Sequence, residues 1–332
     1  MTVVGAGVVG LWQAYELAQR GHSVILREAA PEISTGAASR IAGAMLAPYC
    51  ESETADPFVK ELGLRSLKRW REVCCDLPVN GTIVVAPPRD RAELARFARL
   101  TDRHRLIGAT ELAQLEPELE GRFDAALYFP GEAHLPPRVA LSHLVDKLRA
   151  RNVDLRFSAP VTGPLWLAAA AGEVVIDCRG ISAINDLAGL RGVRGEMAVV
   201  RALDVQLSRP VRLLHPRFPV YVVPWGEGTY MIGATMLEST NAGDVSARSA
   251  FELLASACVV HPSFAAGQVL ELSTGIRPAY DDNLPRLRWR GRCLSVNGAY
   301  RHGFLLAPAL AEFVADHLES CAALPPKLLS VP

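Results

Sequence analysis

Three glycines near the N-terminus have the spacing of a loop that holds a dinucleotide. Gly5, Gly7 and Gly10 form a G-x-G-x-x-G pattern, and Glu28 follows eighteen residues after the last of them. The first glycine permits a tight turn, the second lets the backbone approach a pyrophosphate, and the third lets a helix pack closely on a strand. A carboxylate at Glu28 can accept hydrogen bonds from ribose hydroxyls and would repel a 2′-phosphate, which disfavours NADP. The predicted contacts in this loop are Gly5, Ala6, Gly7, Val8, Val9 and Gly10.

A second set of side chains is suited to binding a small acid. Arg277 follows a predicted strand and precedes Pro278, which stiffens the exit from that strand. A carboxylate in a partly dry pocket needs a fixed cation, and the planar guanidinium fork binds both of its oxygens. Tyr221 would donate its phenol to the same carboxylate, and Met236 would line the pocket wall. The alternatives are a surface ion pair for Arg277, an ordinary strand aromatic for Tyr221 and core packing for Met236.

The elements that must position these residues differ between the ends and the middle of the chain. Residues 2–28 are predicted as strand, glycine turn, helix and strand, and the C-terminal part again combines strands with a final helix over 307–318. The middle is rich in strands, with a hairpin predicted over 220–234. Alternation predicts a parallel sheet, and consecutive strands predict an antiparallel one. We therefore expect an α/β domain from residues 1–78, 137–192 and 275–332, and a substrate domain from 79–136 and 193–274.

Composition narrows the classes of partner. The 35 basic and 35 acidic side chains cancel, so no positive surplus favours nucleic acid or an anionic membrane. The seven cysteines form no C-x-x-C pair, no cluster has the spacing of metal ligands, and free thiols in a reducing compartment are expected. The first predicted strand begins at Thr2, which leaves no room for a signal segment before it. We expect a cytoplasmic protein with no bound metal.

Four later segments carry a resemblance to a known family. Residues 38–48, which read ASRIAGAMLAP, resemble the flavin-contacting loop of the D-amino acid oxidase family, and more closely that of the glycine oxidases of thiamine biosynthesis. Residues 221–236 resemble the family's substrate-domain hairpin, and GIRP at 275–278 resembles its Gly-Leu-Arg-Pro motif. GAYRHGFLLAP at 298–308 resembles its C-terminal flavin loop. The resemblance covers nearly the whole chain in the family's order.

The resemblance implies a fold and a cofactor. The α/β domain would be an FAD-binding, Rossmann-like parallel sheet of the GR2 type, with the antiparallel or mixed-sheet substrate domain inserted into it. FAD would be bound without a covalent link, although Cys178 and Cys293 are candidates for a thioether. Besides the glycine loop, the implied cofactor contacts are Glu28, Ser39, Arg40, Ala42, Gly43, Ala44, Met45, Leu46, Val161, Cys178, Arg179, Gly180, Gly298, Tyr300, Arg301, His302, Gly303, Phe304 and Leu305.

The resemblance also implies a reaction. The α-hydrogen of a small amino acid would pass as hydride to flavin N5, the imine would hydrolyse, and O2 would take the electrons to give peroxide. The implied catalytic residues are Tyr221, Arg277, Arg301 and Met236, with Arg277 and Arg301 lowering the pKa of the substrate amine. His302 is either a base or a contact of the flavin ring.

The substrate and the electron acceptor stay open at this point. Glycine is the leading choice, which would feed thiazole synthesis. The alternatives are another D-amino acid, an N-methylated glycine, or a flavin-binding subunit that passes electrons to a partner protein. Homo-oligomerisation and a hand-over to thiazole synthase are also left open.

Overall fold

The computed structural model describes residues 1–33, 35–75, 77–161, 165–168, 172–216 and 219–329; the last three residues of the predicted segment 275–332 lie outside the described part. The strands found there are β1 (Thr2–Val4), β2 (Ile25–Arg27), β3 (Met45–Leu46), β4 (Thr82–Val85), β5 (Arg105–Gly108), β6 (Ala125–Phe129), β7 (Ala133–His134), β8 (Asp154–Arg156), β9 (Val175–Asp177), β10 (Arg191–Arg201), β11 (Val211–Leu213), β12 (Val220–Gly226), β13 (Thr229–Gly233), β14 (Leu237–Glu238), β15 (Gln268–Ala279), β16 (Arg286–Arg290) and β17 (Cys293–Asn297). The α-helices found there are α1 (Val8–Gln19), α2 (Pro48–Glu51), α3 (Pro57–Val73), α4 (Arg91–Leu100), α5 (Ala109–Leu115), α6 (Pro137–Arg149), α7 (Leu165–Ala168), α8 (Ala247–Val260) and α9 (Gly303–Ser320).

The first large sheet combines strands from both ends of the chain with β8 and β9 from its middle. Its order is β16-β17-β9-β1-β2-β8, and every pair is parallel except β16 with β17. The short strand β1 is fully buried because it lies in the middle of this sheet. Helices α1, α6 and α9 contribute to one hydrophobic core against the sheet, which includes Leu11, Leu144 and Leu310. This is the mainly parallel, helix-covered sheet that the alternating sequence pattern predicts.

The second large sheet comes from the middle of the chain. Its order is β14-β10-β13-β12-β11-β4-β6-β5, with β15 paired to β10, and only the pair β11–β4 is parallel. Helix α8 packs against it through Leu253 and Ala257, which share a core with Val200 and Ile232. The predicted fold class, a parallel sheet combined with a mainly antiparallel one, is confirmed. Strands β10 and β15 cross the predicted domain limits at 192/193 and 274/275. The division into two domains stays a prediction.

The last helix begins earlier than the sequence predicts. Proline usually stands near a helix start, so Pro308 favours a start at about residue 307, yet α9 runs from Gly303 and contains Pro308 in its interior. A proline inside a helix leaves the carbonyl four residues earlier without its partner. Here that carbonyl belongs to Phe304, and it accepts a hydrogen bond of 2.8 Å from the indole Nε1 of the buried Trp70. A long-range contact therefore makes the interior proline tolerable.

Two of the strands that the sequence does not predict, β5 and β16, have weak sequence patterns for a physical reason. Strand β5 is exposed along most of its length, with only Ile107 buried, so it lacks the alternation that marks a half-buried strand. Strand β16 has arginines at alternate positions and buries only Leu287. Both strands lie at an edge of their sheet. None of the helices in the described ranges is long and apolar enough to cross a bilayer.

Candidate active site

A cavity of about 810 Å³ connects the two large sheets. Its lining includes the glycine loop between β1 and α1 and residues of β10, β12, β13 and β15. The loop before β3 and the segment that leads into α9 complete the wall. The predicted site residues come from distant stretches of the chain, and the fold brings most of them to this one cavity.

The glycine loop has the geometry that its spacing predicts. Gly5 adopts a φ of 101°, a conformation that side chains disfavour. A Cβ built on Gly10 would stand 1.8 Å from the carbonyl oxygen of Gly5, so only glycine lets α1 approach the loop this closely. The first N–H groups of a helix have no intrahelical partners. In α1 the N–H of Val8 donates to the hydroxyl of Ser39 at 3.0 Å, and Gly7, Val8 and Val9 line the cavity. An anionic ligand such as a phosphate suits this place.

Glu28 lies beside the glycine loop, at the end of β2. Its carboxylate accepts backbone hydrogen bonds from Ala6 at 2.6 Å and from Ala30 at 2.9 Å. Each carboxylate oxygen has a second lone pair, so the group keeps acceptor capacity toward the cavity that it lines.

Most of the predicted cofactor contacts line the cavity, and five do not. Those on the lining are Gly5, Gly7, Val8, Val9, Glu28, Ser39, Ala42, Gly43, Ala44, Met45, Val161, Cys178, Arg179, Gly180, Tyr300, Arg301, His302, Gly303, Phe304 and Leu305. Ala6 and Leu46 are buried in the core, and Gly10 packs on the loop. Gly298 packs on the ring of Tyr280, and Arg40 presents its carbonyl to Arg138. The predicted cofactor-binding segments therefore contain residues that pack against the rest of the protein next to residues that line the cavity.

Arg277 and Tyr221 line the part of the cavity that the second sheet contributes. The guanidinium of Arg277 donates to the carbonyl of Thr235 at 3.0 Å and lies against Gly195 on the neighbouring strand β10. The ring of Tyr221 lies against Gly43, where an added Cβ would stand 2.9 Å from the ring. Two glycines thus provide the space for these two side chains.

Four arginines line the cavity within the described ranges, and three of them have carboxylate partners. Arg179 pairs with Asp177 and Asp186, and Arg212 pairs with Glu53. Arg301 pairs with Glu51 at 2.7 Å. Arg277 has no carboxylate partner among the residues that the structure describes. A guanidinium in a partly enclosed cavity favours an anion at this point.

Glu51 is a site residue that the sequence did not reveal. It ends the short helix α2, lines the cavity, and contacts both the guanidinium of Arg301 and the Nδ1 of His302, the latter at 3.4 Å. Although burial opposes its ionisation, these positive or protonatable neighbours lower its pKa to about 2. The carboxylate is therefore charged at neutral pH and offsets the charge of Arg301. Glu51 therefore weakens the positive field of Arg301, and the joint action of Arg277 and Arg301 on the substrate amine stays a prediction.

His302 is buried where α9 begins. Burial lowers its pKa to about 4, so the ring is neutral at physiological pH. A neutral imidazole of such low basicity is a weak base near pH 7, so packing at the cavity wall accounts for it better.

The buried side chain of Glu132 stabilises the N-terminus of α2. One oxygen of Glu132 accepts hydrogen bonds from the backbone of Tyr49 at 3.0 Å and of Cys50 at 2.8 Å. These are N–H groups of the first turn of α2, which have no partner within the helix. Burial raises the pKa of Glu132 to about 7. Glu132 thus holds the helix that carries Glu51, and no motif around it marks this role in the sequence.

Cysteine chemistry at the cavity is disfavoured by burial. Cys178 lines the cavity, and burial raises the pKa of its thiol well above the ordinary value. Burial raises the pKa of Cys293 to about 11. Both sulfurs are protonated at neutral pH and are poor nucleophiles.

Comparison with known proteins gives a consistent result. The family model described as "DAO: FAD dependent oxidoreductase" matches residues 1–317. The chain is 48% identical over 318 residues to the "Putative thiamine biosynthesis oxidoreductase ThiO" of Rhizobium etli, covering 95% of each protein. It is 26% identical to the "Bifunctional protein ThiO/ThiG" of Trichormus variabilis, over 96% of this chain and 52% of that longer protein. The crystal structure of glycine oxidase from Geobacillus kaustophilus superposes with a TM-score of 0.81 at 25% identity, covering 99% of this chain and 97% of that one.

Proposed function

The chain belongs to the DAO family of FAD-dependent oxidoreductases, and from this premise we propose that it oxidises glycine or a similarly small amino acid. The products would be the imine, which hydrolyses to the oxo acid and ammonia, and hydrogen peroxide from O2. The similarity to a ThiO protein supports a place in thiamine biosynthesis. The fused ThiO/ThiG relative supports a hand-over of product to a thiazole synthase.

The cavity fits FAD. The N-terminus of α1 would hold the pyrophosphate and Glu28 the ribose, while the loop around Gly43 and the start of α9 would border the isoalloxazine ring. Gly43 has no room for a side chain on its Tyr221 side, so its backbone forms the wall there. When bound, FAD accepts two electrons and a hydrogen from the substrate Cα and passes the electrons on to O2.

The observation that carries the substrate proposal is the unpaired guanidinium of Arg277. The other cavity arginines of the described chain are bound to carboxylates, so an incoming amino acid finds its free cation at Arg277. Tyr221, across from Gly43, would donate its phenol to the same carboxylate. Holding the substrate by its carboxylate fixes the position of Cα, which is the protein's main contribution when the cofactor carries the chemistry.

The charges of the site also affect the substrate amine. The neutral amine is the form that can lose hydride from Cα. Arg277 would disfavour the ammonium form, whereas Glu51 reduces the contribution of Arg301. The protein would therefore lower the pKa of the substrate amine mainly through the guanidinium of Arg277.

The test is an anaerobic titration of the purified yellow protein with glycine, sarcosine, D-alanine and D-proline, followed by measurement of peroxide release in air. We expect glycine to bleach the flavin band and to give stoichiometric peroxide. A protein that binds no FAD, or whose flavin none of the four substrates reduces, would refute the proposal. Fast bleaching with slow reoxidation by air would instead identify a dehydrogenase that uses a partner as electron acceptor.

A further inference from the structure

Met236 is the most exposed methionine of the chain and lies in the active-site wall. All five methionines of the sequence are described. Half of the surface of Met236 is exposed, whereas Met197 and Met231 are 1% exposed and Met1 and Met45 are partly covered. A thioether is the side chain, other than a thiol, that peroxide oxidises most readily, and its susceptibility follows exposure. The position of Met236 is therefore unusual for a protein that makes peroxide.

The sulfur of Met236 links two side chains of the site. The phenol of Tyr300 lies 3.4 Å from Sδ, and Nη1 of Arg301 lies 3.6 Å from it. Met236, Tyr300 and Arg301 form the boundary between the main cavity and a second cavity of about 230 Å³. The second cavity also contacts Thr54, whose hydroxyl accepts from Arg301 at 2.8 Å. A change at the sulfur would therefore affect both the position of Arg301 and the shape of the boundary between the cavities.

We propose that Met236 is a site of oxidation by the enzyme's own peroxide and that its sulfoxide slows the enzyme. The inference rests on the proposed function for the source of peroxide. One oxygen atom passes from H2O2 to the thioether sulfur, so the sulfur is oxidised by two electrons, the peroxide O–O bond breaks, and water is released. No further oxidant is needed.

The modification changes a weak hydrogen-bond acceptor into a strong one. A thioether sulfur accepts weakly, whereas a sulfoxide is polar and carries an oxygen. Tyr300 and Arg301, which already face the sulfur, would donate to this oxygen. The added oxygen also occupies space between the two cavities. We expect a lower turnover number, because the new hydrogen bonds would hold Tyr300 and Arg301 in changed positions in the cavity wall.

The experiment separates this inference from the proposed function. FAD-loaded protein, without substrate, is treated with dilute hydrogen peroxide, and methionine oxidation is followed by peptide mass spectrometry. We expect Met236 to gain oxygen first, at least about tenfold faster than Met197 and Met231 and ahead of Met45. Residual activity should fall in step with Met236 oxidation and return after treatment with methionine sulfoxide reductases. This part does not require the enzyme to produce peroxide itself.

A second part tests the source of peroxide. The enzyme turns over glycine in air with and without catalase, and oxidation of Met236 should appear only without it. The variant Met236→Leu, a substitution of similar volume that cores and walls tolerate, should keep a constant activity throughout peroxide treatment, whatever its starting rate. Oxidation of Met236 no faster than that of Met197, or loss of activity that is the same in Met236→Leu, would overturn the inference. Selective oxidation by added peroxide with no peroxide from turnover would refute the proposed function instead.

Discussion

The substitution Gly195→Ala tests the role of Arg277 without altering Arg277. Gly195 lies on β10 directly beside β15, and a Cβ placed there would stand 2.2 Å from Nη2 of Arg277. The atoms that it meets are the far end of a flexible side chain, so the arginine moves and the backbone stays. The fold should survive, because alanine in a strand is at least as favourable as glycine.

The size of the effect follows from the displacement. Ordinary contact between heavy atoms is about 3.5 Å, so the guanidinium must move by more than about 1 Å. A misplacement of about 1 Å can cost about a hundredfold in rate, and a hydrogen bond to a charged group contributes about 1.5–3 kcal/mol. We expect kcat/KM for glycine to fall about thirty- to a hundredfold, which corresponds to about 2–3 kcal/mol of transition-state stabilisation.

The assay combines steady-state peroxide release with thermal unfolding of the FAD-loaded protein. The matched control is Gly108→Ala, because Gly108 ends strand β5 and an added Cβ there would meet no atom within 4 Å. The control should keep the kcat/KM of the original protein. Gly195→Ala should keep its flavin and its unfolding temperature within a few degrees while it loses activity.

One result would refute the reasoning about Arg277. If Gly195→Ala bound FAD, unfolded normally and oxidised glycine with an unchanged kcat/KM, the guanidinium could not be the group that fixes the substrate carboxylate. An equal loss in both alanine variants would show that the effect comes from the fold and not from Arg277.

Three further predictions concern Tyr221 and Glu51 in the cavity wall and Glu132 behind it. Tyr221→Phe keeps the ring against Gly43 but removes the phenol, so KM for glycine should rise about five- to fifteenfold with flavin content unchanged; an unaltered KM would exclude the phenol from substrate binding. Glu51 has a folded pKa of about 2, below its ordinary value, so its stabilisation is present above about pH 4.5 and is lost toward pH 2. The stability difference between the original protein and Glu51→Gln, measured by urea unfolding, should shrink by up to about 3 kcal/mol over that range, and a constant difference would refute the ion pair. Glu132 has a folded pKa of about 7, above its ordinary value, so its contribution is present below about pH 4.5 and is lost as the pH rises toward 7. Glu132→Gln should therefore gain stability relative to the original protein over that interval, and parallel pH profiles would contradict the raised pKa.

The parts that sequence reasoning predicted well are those fixed by local chemistry. The strand, glycine turn and helix over residues 2–19 follow from glycine spacing and apolar periodicity, and the structure shows each glycine with a distinct steric role. Helix α3 begins where Asp56 and Pro57 predict, because the carboxylate of Asp56 accepts from the N–H of Phe58 at 2.8 Å. Such signals depend only on residues that are close to one another in the sequence.

The parts that escaped prediction depend on contacts between distant residues. Glu51 stands 250 positions before Arg301, and nothing near it in the sequence indicates an ion pair. Gly195 looks like an ordinary strand glycine until β15 places Arg277 against it. The early start of α9 depends on an indole from α3. In each case the determining partner is brought near by the tertiary fold, which the local pattern predicts only in outline.

The ion pairing of the cavity arginines, more than their number, determines how a carboxylate ligand would be oriented in the cavity. If Arg277 and Arg301 were both free, a small carboxylate could bind at either, and Cα would have no single position relative to the flavin. Glu51 occupies Arg301, and Glu132 holds the helix that carries Glu51, so the described part of the wall presents one free cation. A carboxylate at Arg301 would also lie close to the charge of Glu51, which repels it. In the proposed function, the substrate carboxylate would thus be confined to Arg277 by an attraction there and a repulsion at Arg301, and a fixed orientation of so small a molecule would need both.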